Sequence, residues 1–305
     1  MGKHAATGGT FDAPYVEAVA ATAEKAYQVV DRLFGGDGTG SVVSKGTAKV
    51  EGWKPNIPAP LVAAAERMAP LCGLLVFEGD PEYERAVDAC YAESKSELAE
   101  GWPAAAKRSH GFFVVHPIGR SVVVARGRDR EAVAGHTCHH LGHLLAHRHL
   151  DTPMFLPPWY DEAIALLAED GATGAITMFC SVKPVSGTRV DDPKSNKSAI
   201  KDWRARLRDA NKAGRCQSLA AIVTHDLFDL TTDDLLKAAS VVEFLSSKEG
   251  ALERFHAFLQ TNYGYARLPD TARELHDKAF RAAIKADLKN TETQWEMWLS
   301  SKGSK

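Results

Sequence analysis

Apolar residues recur at helical spacing early in the chain. Val16, Val19, Ala20, Ala23, Ala26, Tyr27, Val30 and Leu33 fall three or four apart, and Gly35-Gly36 follows. The pattern predicts a helix over 14–34 that stops at the glycine pair. Residues 48–53 predict a short strand and 60–68 a short helix. The compact apolar run Leu71 to Glu78 predicts a buried strand. Asp80-Pro81 then suits the start of a helix reaching about residue 98, with proline at the first helical position. Gly111–His116 and Ser121–Ala125 are rich in β-branched and aromatic residues on either side of Pro117-Ile118-Gly119, which predicts a hairpin or two successive strands. Two helices follow, over 131–149 and 159–170. Residues 171–200 carry Gly, Ser, Pro and Lys with no period and predict a long loop. Residues 200–299 are mostly helical, with the best apolar stripes at 235–245 and 252–259. Strands in the first half and helices in the second suggest an α+β architecture.

Composition narrows the function classes. The chain has 305 residues, and 37 Lys plus Arg against 39 Asp plus Glu leave a net charge of −2. A general basic surface for nucleic acid is therefore not expected. Lys201–Arg215 is basic, but Asp202 and Asp209 interleave, and a solvated helix face explains it better. No apolar run approaches the roughly 18 residues a membrane helix needs. The five cysteines include no Cys-x-x-Cys pair. This argues against a disulfide framework or a cysteine zinc knuckle and suggests a reducing, cytoplasmic setting. Trp295 and Trp298 read as core packing, and Asp233-Asp234 as helix capping.

The chemistry concentrates in one helix. Six of the twelve histidines fall within 135–149: His136, His139, His140, His143, His147 and His149. His139 and His143 are four apart, so they project from one face one turn apart, the arrangement by which two imidazoles bind one zinc. The pairs His136–His140 and His143–His147 share that spacing. Eight residues of helix span about 12 Å, too far for His139, His143 and His147 to bind one ion together. Cys138 points away from the pair and reads as a small core residue.

Eighteen residues after His143, the run Pro157-Pro158-Trp159-Tyr160-Asp161-Glu162 opens the next helix. His139-His140-Leu141-Gly142-His143 with this run resembles the gluzincin branch of the zincin metallopeptidases, and uncharacterised bacterial proteins of the peptidase MA-like group. Those carry His-Glu-x-x-His, then eighteen residues, then a glutamate ligand. The resemblance implies a zincin-like α+β half over 1–175, with a small mixed sheet and the His-bearing helix, followed by a helical subdomain over 176–305. It implies Zn2+ bound by His139, His143 and Glu162, with an open fourth position, and a peptide or protein ligand in a cleft, without nucleic acid or membrane. The sequence departs from the family at the base position, where His140 stands for glutamate. A general base contributes about 10²–10⁴-fold. Peptide hydrolysis is therefore expected to be impaired or lost. The alternative is an active peptidase with His140 or another group as the catalytic base. Position 166, one turn beyond Glu162, is leucine, so no carboxylate supports the site from there.

Overall fold

The computed structural model describes residues 6–7, 13–36, 72–77, 80–93, 100–108, 111–115, 121–126, 130–149, 156–180, 199–262 and 269–302. Eleven α-helices are found among them. They are α1 (Ala13–Leu33), α2 (Asp80–Glu93), α3 (Trp102–Arg108), α4 (Arg130–His149), α5 (Pro158–Thr173), α6 (Trp203–Lys212), α7 (Leu219–Ile222), α8 (Thr232–Ser246), α9 (Ala251–Asn262), α10 (Pro269–Ile284) and α11 (Leu288–Lys302). The elements expected at 48–53 and 60–68 lie outside the described residues.

Helix α5 is the axis of the packing. It is buried on all sides from Trp159 to Glu169, with Asp161 the partly exposed exception. A helix buried all round must be covered by several others. Helices α1, α4 and α8 pack directly on it. Pro158 occupies its first turn, where a missing N–H costs nothing, and the Tyr160 and Asp161 amides donate to Pro157 O at 2.9 and 3.0 Å. Its end is closed by Gly174 at φ +77°, whose amide donates to Asp170 O. Helix α8 begins with a capping box in which Thr231 and Asp234 satisfy each other's amides, so Asp234 does cap a helix.

One apolar core runs from Ala26 and Val30 on α1, through Leu141, Leu144 and Trp159, to Trp295 and Leu299 on α11. It crosses the boundary expected at 175/176. Trp295 is fully buried and donates to Ser240 Oγ at 3.0 Å.

The α+β expectation with a small mixed sheet is overturned. Helix makes up 78% of the packed body of the molecule, and that body contains no strand or sheet. Three of the expected strand segments do pair through their backbones, together with Ala6–Thr7, where no strand was expected, as a short ladder beside the helical body. In order these are β1 (Ala6–Thr7), β2 (Cys72–Phe77), β4 (Ser121–Arg126) and β3 (Gly111–Val115), with β3 antiparallel to β4. They are at most six residues long. Among the described residues, the members of the core cluster lie on helices, at Leu156 just before α5, or in the segments joining α5 to α9. Short β runs were legible, but the weight of the fold rests on helices that enclose one another.

Candidate metal centre

The site forms where α4 and α5 touch. Gly142 on α4 makes this possible: a Cβ there would lie 2.7 Å from Ala165 Cα and 2.9 Å from Ala168 Cβ. Only a glycine against two alanines lets the helices approach so closely. The approach sets His139 and His143 against Glu162, all three buried. Beyond α5 the left-handed turn at Gly174 reverses the chain, and Ile176 pairs with Ile200 in both directions. Cys180 is thereby returned to the first turns of α5, where its amide donates to Glu162 Oε1 at 2.9 Å.

Four donor groups converge. His139 Nε2 and His143 Nε2 are 3.2 Å apart, and Cys180 Sγ is 3.2 and 3.3 Å from them. Glu162 Oε1 is 3.5 Å from His139 Nε2, and Oε2 is 3.4 Å from His143 Nε2. One atom from each residue can be chosen so that all lie within 4.8 Å of one another. The His139 Nε2, His143 Nε2 and Cys180 Sγ edges of 3.2–3.3 Å are short enough for one ion to lie among them at the roughly 2.0–2.3 Å of zinc–nitrogen and zinc–sulfur bonds, with a Glu162 oxygen on the remaining side.

The opposite sides of the two rings face carboxylates. His143 Nδ1 lies 3.0 Å from Asp161 Oδ2, and His139 Nδ1 lies 3.3 Å from Glu169 Oε2. A neutral imidazole with its proton on Nδ1 for the carboxylate turns a bare lone pair inward from Nε2. Two such lone pairs, a carboxylate and a sulfur would then confront one another with at most one thiol proton between them. The arrangement demands positive charge at its centre. Without a cation, protons supply it. Burial drives the His139 imidazole down, but Cys180 and Glu162 outweigh it and hold the group well above its ordinary range. Burial likewise opposes the charge on His143, and Asp161 with Cys180 reverse it. Burial would raise Glu162, but the two histidines hold its carboxyl well below the usual carboxylate range. The donor set therefore fits a divalent, tetrahedral ion of the zinc type.

Of the residues singled out in the sequence, His139, His143 and Glu162 are brought together. His140 is not among the donors. It is buried, with its ring 5.8 Å from that of His139 and 6.3 Å from that of His143. Among the described residues, neither of its nitrogens has a hydrogen-bond partner. Burial, then the neighbouring histidines, push it well below the ordinary range, so it is a neutral imidazole. His136 is also buried and outside the donor group. The side chains of His147 and His149 lie outside the described residues. Away from the donors, His256 is buried with its Nδ1 3.0 Å from the Tyr160 hydroxyl. Cys138 is a core residue as expected, its thiol raised by burial and directed at Thr22 O.

Three contributors were not foreseen: Cys180, Asp161 and Glu169. Cys180 stands in a segment with no period and no Cys-x-x-Cys spacing, so nothing local marks it. Glu169 is seven residues beyond Glu162, two helical turns along the same face and one turn past Leu166.

No family model, no curated protein and no solved structure matches the chain.

Proposed function

We propose that the protein is a zinc-binding, metallopeptidase-like protein whose centre is closed to hydrolysis, and that it holds or binds a peptide or protein segment rather than cleaving it. The observation that carries this reading is the convergence of four donors rather than three. Two imidazoles and one carboxylate leave a position for water, as catalytic zinc sites do, whereas four protein ligands make a structural site. Cys180 stands where water would be needed, and His140 stands where the base would be needed. When bound, the ion would supply Lewis acidity, but with Cys180 as the fourth ligand no position would remain for a water to be activated. What the chain's own residues do is bind: two histidines held from behind by carboxylates, Glu162 held by the Cys180 amide, and a thiol closing the set.

Elemental analysis of tag-free full-length protein tests the reading. About one zinc per chain is expected, lost in the double variant His139→Ala, His143→Ala. With Co2+ in place of zinc, the visible spectrum is expected to carry a thiolate charge-transfer band that Cys180→Ser abolishes. Hydrolysis of a peptide library is expected to stay at background in the wild type and in His140→Glu. Metal-dependent cleavage by the wild type overturns the closed-centre reading in favour of an active peptidase. Unchanged metal content in the double variant overturns the site itself.

A further inference from the structure

Glu169 is a carboxylate with no exposure at all, and none of the four donor contacts uses it. Burying such a group is costly unless it is paired and hydrogen-bonded. Its partners are specific. Oε1 accepts from the Thr177 amide at 2.7 Å and from the Thr177 hydroxyl at 2.5 Å. Oε2 lies 3.3 Å from His139 Nδ1, close but not aligned as a hydrogen bond.

Glu162 repeats the arrangement two turns earlier on α5. Its Oε1 accepts from the Cys180 amide, and both its oxygens face histidine Nε2 atoms. The two glutamates thus grip the same returning segment three residues apart, at Thr177 and Cys180, and each reaches across to α4. Helix α4 has left room for the second grip. A Cβ on Gly135 would lie 2.5 Å from Thr177 Oγ1 and 2.8 Å from Glu169 Oε1. Gly135 and Gly142 are seven residues apart, so one glycine admits α5 itself and the other admits the Glu169–Thr177 pair.

We propose that Glu169 is a positioning residue of the centre, setting through Oε2 the nitrogen that His139 presents and holding through Oε1 the segment that delivers Cys180. This rests on the four donors forming a metal centre. Both contacts act on the ion through other residues. The carboxylate charge 3.3 Å away favours the tautomer with the proton on Nδ1, which leaves Nε2 free to donate its lone pair. Thr177, fixed by the same carboxylate, is three residues from the sulfur.

Glu169→Gln separates this role from simple filling. The amide oxygen can still accept from Thr177, but the amide nitrogen then meets the Nδ1 proton, donor against donor. His139 is driven to the other tautomer, with its proton turned inward. Co2+ titrations of the metal-free full-length chain read the effect. Glu169→Gln is expected to weaken Co2+ binding about 10–100-fold, with altered visible absorption at saturation and little change in the melting temperature of the metal-free protein. Thr177→Val, which keeps the carboxylate but removes the hydroxyl that holds Oε1, is expected to weaken binding by less, and it stands in should Glu169→Gln fail to fold. Wild-type Co2+ affinity and spectrum in either variant overturn the positioning role. A wild type that binds no Co2+ overturns the four-donor reading, and this inference with it.

Discussion

Two regions bury histidines against α5 and treat them in opposite ways. At one, His139 and His143 face a thiol and three carboxylates, and their surroundings call for positive charge. At the other, His276 Nδ1 faces Ala272 O at 2.7 Å while its Nε2 accepts the Trp159 indole N–H at 3.1 Å. Among the described residues, each nitrogen there meets a neutral partner of the right kind. Burial pushes that imidazole down to about 4, against the pull of the Ala272 carbonyl. The residue type is the same, the burial is equally complete, and both sets lie within the reach of one helix. What differs is the number of anionic partners. Neutral partners make a buried histidine a stable neutral link. Anionic partners make it half of a cation site.

The largest expected break in this comparison comes from removing the ion. If zinc is held at a thousand times its dissociation constant, it stabilises the fold by about 4 kcal/mol. Thermal unfolding with and without a strong chelator should show that shift in the wild type and none in His139→Ala, His143→Ala. An unshifted wild type would mean that the charged cluster works without metal.

The neutral site should respond to acid. A folded pKa of about 4 against 6.5 means that the unfolded chain binds the proton more readily. The stabilising contribution of neutral His276 is thus complete above pH 6.5 and is lost as pH falls towards about 4. Two and a half units correspond to about 3 kcal/mol. Urea unfolding between pH 4 and 7 should lose most of this slope in His276→Gln. An equal slope in both proteins would assign the acid sensitivity elsewhere.

Gly142→Ala probes the helix contact that only the cation site needs. The added methyl meets α5 backbone, and overpacking of this kind costs about 1–3 kcal/mol. Metal affinity should fall with stability, because His139, His143 and Glu162 are pushed apart. Retained affinity would show that the helices can separate without disturbing the donors. The smallest effect is expected from Tyr160→Phe, which deletes the hydroxyl contact to His256. About 1 kcal/mol of stability should go, with the metal content unchanged. A loss of metal would couple the two regions.

Much of the site was legible because its logic is local. A four-residue spacing on one helix determines that two imidazoles share a face, whatever the tertiary structure. The Pro-Pro-Trp-Tyr-Asp-Glu run marks a helix start for the same reason, since proline suits the first turn. Strand runs were legible as strands, but not the small part they play. That depends on how many sides of α4 and α5 are covered by other helices, and no single stretch of sequence records it. The role of Gly142 was equally hidden, for a glycine in a helix has meaning only once the neighbour is known.

By itself, the sequence determined which residue types lie on which helical face, and hence the pair His139–His143 with Glu162 to follow. It also determined that His140 occupies the base position. The tertiary structure alone decided that the chain returns after Gly174, so that Cys180 closes the donor set and Thr177 meets Glu169. Side-chain direction along a helix follows from a fixed 100° per residue. The path of an aperiodic segment follows from contacts made at its far ends, here the Ile176–Ile200 pairing and the two glutamates of α5.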